Sequence, residues 1–231
     1  AEADIMRVVT PTIRGPWSDR IESAKTAVEL FSIRRELHEF CVLDPACGSG
    51  NFLYVAYREI ARLETRIIER LRDLLSEREF HRRVRGVSSV NPHNFKGIEI
   101  DPFGVDLAKV TLTLAKKLAM DEAIDALSKE HIQLPLTEEA LPLDNLDANF
   151  QCTDALFVDW PEVDAIIGNP PYKSKNKMQG EFGAEYVSRL RARYPDVPGR
   201  ADYCVYWFRR SHDHLKSGQR AGLVGTNTIR Q

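Results

Sequence analysis

The stretch Ile166-Ile167-Gly168-Asn169-Pro170-Pro171-Tyr172 gathers residue types suited to chemistry at the end of a strand. An apolar run closes in a side-chain amide, two prolines and an aromatic ring. The prolines fix φ and remove two backbone donors, so the carbonyls there are free to accept from another group. Asn169 adds a side-chain acceptor and Tyr172 a flat face. These are the parts needed to grip a planar group bearing an NH2.

Three carboxylates stand in comparable places. Asp44 closes Phe40-Cys41-Val42-Leu43, Glu99 lies in Phe95-Lys96-Gly97-Ile98-Glu99-Ile100, and Asp154 follows Phe150–Thr153. Between Asp44 and a long helical pattern lies Ala46-Cys47-Gly48-Ser49-Gly50. Glycines there let a ligand approach the backbone, and a helix N-terminus favours a negative group. The turn lacks both the G-x-x-x-x-G-K of a phosphate loop and the full G-x-G-x-x-G of a dinucleotide site, and in isolation a merely tight strand-to-helix turn is the lesser, alternative reading. An acid placed like Glu99 suits two ribose hydroxyls, a use also open to a kinase or a dehydrogenase. Asp154 suits an adenine amino group, or a turn cap. Taken together, the glycine turn and the two acids describe a site for an adenosine ligand without phosphates. S-adenosylmethionine fits that description better than NAD or ATP.

These residues need elements to position them. Breakers at Pro11, Gly15 and Pro16 make residues 1–20 irregular in expectation, and apolar spacing predicts a helix over 21–39. Asn51 opens a helix running to about residue 80, with Arg58, Arg62, Arg66 and Arg70 four apart among acids, which reads as a solvated, salt-bridged face. After the second strand, Asp101-Pro102 caps and starts another helix. Residues 121–148 resist assignment, with Pro135 and Pro142 as breakers. The remaining predicted elements are strands at Phe150–Thr153, Val163–Ile167 and Arg220–Gly225, a short helix within 173–199, and a helix over 201–216. Strands alternating with helices imply an α/β fold, a doubly wound and mostly parallel sheet. Ligands bind such sheets at the carboxyl ends of the strands, where Asp44, Glu99, Asp154 and Asn169 all fall.

Bulk properties narrow the class. The chain has 231 residues, 43% hydrophobic and 29% charged, which is ordinary for a globular domain. A net charge of −2 is not that of a basic nucleic-acid glove, so nucleic-acid binding would need a local patch or further parts. No apolar run has the length of a membrane span and no signal peptide opens the chain, so no membrane partner is expected. Cys41, Cys47, Cys152 and Cys204 form no C-x-x-C pair and are expected to be reduced, in the cytoplasm. His212 and His214 point to different helix faces, and no metal site is expected.

Asp44-Pro45-Ala46-Cys47-Gly48-Ser49-Gly50-Asn51-Phe52-Leu53, then Gly97-Ile98-Glu99-Ile100-Asp101-Pro102, then Asn169-Pro170-Pro171-Tyr172 resembles an amino-group DNA methyltransferase. The motif order is similar to the gamma group, which methylates adenine N6. Tyr203–Phe208 and Gly222–Thr228 further resemble the methyltransferase part of large fused type II restriction–modification enzymes of the MmeI kind. The resemblance covers residues 40–230. It implies a Rossmann-like fold, S-adenosylmethionine as cofactor, and double-stranded DNA as the partner of the full-length protein. It implies that Asp44, Ala46, Gly48 and Gly50 shape the pocket for the methionine half, that Glu99 binds the ribose hydroxyls, that Ile100 packs on the adenine, and that Asp154 reads the adenine amino group. Asn169 and the Pro170 carbonyl would accept from the target amine, Pro171 would hold the turn, and Tyr172 would stack on the flipped base.

The chain departs from that pattern in the long span from Gly50 to Glu99. Phe157, three residues after Asp154, is an imperfect match for a stacking aromatic. Thr10-Pro11-Thr12 is a weak candidate for an upstream cofactor motif. The expected organisation is a lead-in and helix over 1–39 and a catalytic core over 40–231, with the sheet incomplete at its C-terminal end and no target-recognition domain. Two other readings remain: a HemK-like protein-glutamine methyltransferase, which also uses Asn-Pro-Pro-Tyr, and a cofactor-binding fragment inactive without its missing domains.

Overall fold

A computed structural model describes residues 2–88, 90–132 and 145–226, apart from the side chains of Lys175 and Asn176. In chain order its helices and strands are α1 (Glu2–Val9), α2 (Gly15–Ser23), α3 (Ala27–Glu39), β1 (Val42–Asp44), α4 (Asn51–Leu74), α5 (Glu77–Arg83), β2 (Phe95–Glu99), α6 (Pro102–Lys129), β3 (Phe150–Cys152), β4 (Ala165–Gly168), α7 (Lys175–Phe182), α8 (Ala184–Arg193), α9 (Val205–His214) and β5 (Arg220–Leu223). The strands form one sheet in the order β3-β2-β1-β4-β5, every pair parallel. This is the α/β fold expected. β1 is central and pairs with both β2 and β4, so the chain reverses its direction of travel across the sheet between β1 and β4. The crevice outside their carboxyl ends is the place where such sheets take ligands.

Two apolar layers cover the sheet. On one face α4 and α6 pack with Val42, Phe95 and Ile167 in a cluster that also takes in Val9, Ile13 and Trp17. On the other face Leu43, Ile98 and Ile166 pack with Leu190, Tyr206 and Trp207 from α8 and α9. Alternate residues of a strand point to opposite faces, so Val42 and Leu43 serve different layers. Asp101 accepts from the Phe103 amide at 3.1 Å and Pro102 fills the first turn, which fixes the start of α6 as the sequence predicts. Gly50 has φ +80°, and a Cβ there would stand 3.0 Å from the Ala108 Cα, so only glycine lets α4 start this close to α6.

Three expectations need correction, and one unassigned stretch is partly filled. Residues 2–23 are helical, not irregular: Pro11 and Pro16 fall in first turns, where the missing N–H costs nothing, and a π turn at Thr10–Arg14 joins α1 to α2. The helix expected over 21–39 is two helices, because Ala24 turns extended and Thr26 with Glu29 forms a reciprocal capping box. The helix from Asn51 ends at Leu74, and Ser76 caps the separate α5. Within 121–148, α6 continues to Lys129 before any proline, while Pro135 and Pro142 lie outside the described residues.

The arginine stripe is salt-bridged, but largely between elements. Arg58 and Arg62 both reach Glu122 on α6, Arg66 reaches Glu22 on α2, and Arg70 donates to the Ile21 and Ala24 carbonyls that end α2. No helix among the described residues is long and apolar enough to cross a membrane.

Candidate active site at the switch point of the sheet

Asp44 ends β1 and is 1% exposed. Its Oδ1 accepts from the Ala46 amide at 3.1 Å, which anchors the glycine turn. Burial pushes its carboxyl up to about 7; the Glu99 charge adds to that, and the Ala46 amide opposes it. β4 passes beside it so closely that a Cβ on Gly168 would lie 2.5 Å from Asp44 Oδ1. The residue before Asn169 is glycine because a carboxylate occupies the space of a side chain. Gly48, in contrast, has φ +50° and nothing within 4 Å of where a Cβ would stand, so the turn presents bare backbone to open space.

Glu99 closes β2 and is already well supplied. Its Oε2 accepts from the Gly48 amide at 2.9 Å, and its Oε1 from the Ile100 and Asp101 amides at 2.8 and 3.0 Å. A carboxylate offers about four acceptor positions, so a diol arriving here must share or displace an amide. Asp154, just beyond β3, accepts from the Leu156 amide at 2.9 Å through Oδ1 and from the Tyr186 hydroxyl at 2.7 Å through Oδ2.

Asn169 is exposed just past β4, Pro170 is buried, and Tyr172 is 41% exposed. The Tyr172 hydroxyl donates to Asn169 Oδ1, so the turn folds its aromatic back over its own amide. Two further bonds hold the turns to the α9 layer: Trp207 Nε1 donates to the Pro45 carbonyl at 3.1 Å, and the Tyr203 amide donates to the Lys173 carbonyl at 2.8 Å.

Two cavities meet here, sharing Ala46 and Asn169 in their walls. One, of about 400 Å³, is lined by Glu99, Ile100, Asp154, Tyr203 and Trp207. The other, of about 830 Å³, is lined by Gly48, Phe52, Tyr172 and the α1 residues Ile5 and Val8. All four strand-end residues expected to converge do so, with Asp44 beneath the floor rather than in either wall. Ile100 is 69% exposed and free to face a ligand.

Other expectations fare differently. Phe157 packs edge-on to Tyr186 at 5.6 Å and under the Arg189 guanidinium at 4.2 Å, and does not line the smaller cavity. The Thr12 hydroxyl is turned inward to the Val8 carbonyl at 2.7 Å; it is α1, upstream of Thr10-Pro11-Thr12, that walls the larger cavity. His214 Nε2 lies 2.9 Å from the Pro161 carbonyl. Residues 227 and 228 of the Gly222–Thr228 stretch lie outside the described residues. Sequence reasoning missed α1, Phe182 and Tyr186. For Tyr186 the available signal was an aromatic in a polar stretch directly after the Asn-Pro-Pro-Tyr turn.

Comparison with known proteins follows the same lines. Residues 20–231 match the family described as MmeI, DNA-methyltransferase domain. "DNA methyltransferase A" of Bacillus subtilis is 28% identical over 99% of this chain and 25% of its own length. "Adenine-specific methyltransferase PglX" of Streptomyces coelicolor is 27% identical over 82% of this chain and 17% of its own length. The chain therefore spans a quarter or less of these relatives. Among solved structures, the type IIL restriction–modification enzyme MmeI in complex with DNA superposes on the whole chain with a TM-score of 0.77 at 23% identity, covering 30% of that protein. That likeness speaks for the fold.

Proposed function

The chain belongs to the MmeI DNA-methyltransferase domain family, and from that premise we propose that it transfers a methyl group from S-adenosylmethionine to N6 of an adenine flipped out of duplex DNA. We place it in the cytoplasm, as the modifying part of a restriction–modification or phage-defence protein. The observation that carries this reading is the position of Asn169. It stands at the carboxyl end of β4, at the switch point, in the wall shared by both cavities.

The residues present fit the cofactor. The smaller cavity offers apolar walls for a purine and carboxylates at Glu99 and Asp154 for hydroxyls and an amine, while the open backbone at Gly48 leaves room for the amino-acid end beside Asn169. When bound, S-adenosylmethionine supplies an electrophilic methyl on a sulfonium. The rest of the work falls to the chain. Adenine N6 is a weak nucleophile because its lone pair is delocalised into the ring. Asn169 Oδ1 and the Pro170 carbonyl, accepting from the two amine hydrogens, favour the pyramidal amine that develops as the lone pair localises. Fixed acceptors cost no reorganisation during reaction, so the term is electrostatic preorganisation together with alignment. Tyr172 offers its exposed ring to the flipped base; flipping costs a few kcal/mol and stacking offsets part of it. Its hydroxyl already donates to Asn169 Oδ1, which keeps a second lone pair for the incoming amine.

A labelled-methyl assay on duplex DNA, RNA and protein, with the full-length protein, tests the reading. Label is expected at N6 of adenine in DNA. Label in protein glutamine alone, or at a cytosine, overturns the corresponding part.

A further inference from the structure

The hydroxyls of Tyr186 and Tyr203 lie outside every role assigned above. Tyr186 comes from α8, in the segment that leaves the Asn-Pro-Pro-Tyr turn, and Tyr203 from the approach to α9. The Tyr186 hydroxyl is 2.7 Å from Asp154 Oδ2 and 2.5 Å from the Tyr203 hydroxyl. A phenol has one proton to donate. Tyr186 spends it on the carboxylate, which only accepts, so its oxygen accepts from Tyr203. The result is a directed chain, Tyr203 to Tyr186 to Asp154. Burial pushes the ionisation of both phenols well up, with Tyr203 and Asp154 adding to it for Tyr186, so both keep their protons near neutrality.

The other Asp154 oxygen is held by the Leu156 amide at 2.9 Å. Both oxygens are thus fixed, one by backbone and one by side chain, and the carboxylate cannot turn about its last bond without losing a partner. Tyr186 is itself held by rings, with Phe182 at 5.4 Å and Phe157 at 5.6 Å. Asp154 and Tyr203 line the smaller cavity directly.

We propose that Tyr186 is a positioning residue that sets purine specificity: anchored by Tyr203, it locks Asp154 as an acceptor aimed at a 6-amino group, so that the cavity takes adenosine and rejects its 6-oxo counterpart. This rests on the reading of that cavity as the adenosine end of the cofactor site. The chemistry of the two bases makes the lock matter. Hypoxanthine presents a carbonyl where adenine presents an amine, and an acceptor facing an acceptor is repulsive. Hypoxanthine also carries a donor, N1–H, at the adjacent ring position. A carboxylate free to rotate can reach that donor; one tied at both oxygens cannot. Specificity that depends on a polar partner left unmatched is larger than specificity from shape.

The test is calorimetric binding of S-adenosylhomocysteine and S-inosylhomocysteine to the 231-residue chain and to its Tyr186→Phe and Tyr203→Phe variants. The native chain is expected to prefer the adenosyl ligand by roughly ten- to a hundredfold, the value of one hydrogen bond to a charged group. Tyr186→Phe keeps the ring and its packing, and the preference is expected to fall below about threefold on the loss of that bond. Tyr203→Phe leaves the bond to Asp154 in place and is expected to fall between, and it serves as the test variant should Tyr186→Phe not fold by thermal melting. Equal weakening of both ligands, with the ratio intact, means that the hydroxyl is merely structural and overturns the proposal. So does a native chain that binds both ligands equally. A native chain that binds neither overturns the cofactor reading itself.

Discussion

The two halves of the site are built differently. On the β2–β3 side, Glu99 and Asp154 have five hydrogen-bond donors already in place, four of them backbone amides. On the β4 side, Asn169 and Tyr172 are exposed and bonded to each other. The carboxylates of the first half are braced before any ligand arrives, with Glu99 left to share an amide partner with a diol, and the second half holds its acceptor against its own aromatic. The contrast teaches that one half is shaped to hold a ligand and the other to exchange one.

The sharpest way to break that comparison is Asn169→Ala. Transfer is expected to fall by roughly 10²–10³-fold, the usual loss for one preorganised polar group. Cofactor affinity by calorimetry should stay within about threefold, since one lost contact at the margin of that site is worth little; a comparable loss in both would show that the halves are not separate.

Asp44 beneath the floor links the two, and its protonation should register in stability. Its folded pKa, about 7, lies above the usual value of 3.8, so the fold favours the neutral acid. The stabilisation is complete below pH 4 and is lost as pH rises towards 7, by between about 2 and 4 kcal/mol. Thermal melting of the native chain and Asp44→Asn from pH 4 to 8 checks this: the native midpoint should drop across that window relative to the variant. Parallel curves would place the titration elsewhere.

Gly168→Ala presses a methyl group onto the same carboxylate and should cost about 1–3 kcal/mol, read as a lower melting temperature. A neutral result would mean that β4 moves aside without penalty.

Tyr172 gives the smallest and most discriminating pair. Tyr172→Ala, losing a stacking face worth about 1–3 kcal/mol, should raise the KM for DNA. Tyr172→Phe keeps the face and frees Asn169 Oδ1, and should leave transfer within about threefold, because only one exposed hydrogen bond is exchanged. A large loss in the phenylalanine variant would give the hydroxyl a role in the reaction.

The legibility of the molecule in its sequence follows the same division. Asp44, Glu99, Asp154 and Asn169 each stand at or just past the end of a predicted strand, and strand ends of a parallel sheet converge by topology alone. Their meeting was readable without coordinates. What could not be read depends on contacts distant in sequence. Pro11 and Pro16 read as breakers in the sequence, yet each falls in a first turn that tolerates it, and the π turn with the burial of Val9, Ile13 and Trp17 against the sheet sets where those turns begin. Tyr186 reaches Asp154 across 32 residues, and no spacing announces it. Arg70 ends α2 by donating to the carbonyls of Ile21 and Ala24, 49 and 46 residues away, whereas an i,i+4 stripe suggests only its own helix.

The hydrogen bond from Trp207 to the Pro45 carbonyl joins residues 162 positions apart. In a growing chain that interval is time. At about 5–20 residues per second, the glycine turn waits roughly ten to thirty seconds for its indole partner to be made. Throughout that interval β1, the centre of the sheet, has no α9 to cover it, and it has no β4 beside it until residue 168 is made; pairing over such separations is slow in its own right. The smaller cavity is therefore among the last parts of the molecule to exist during synthesis, and a chain released early carries the glycine turn without the wall that closes it.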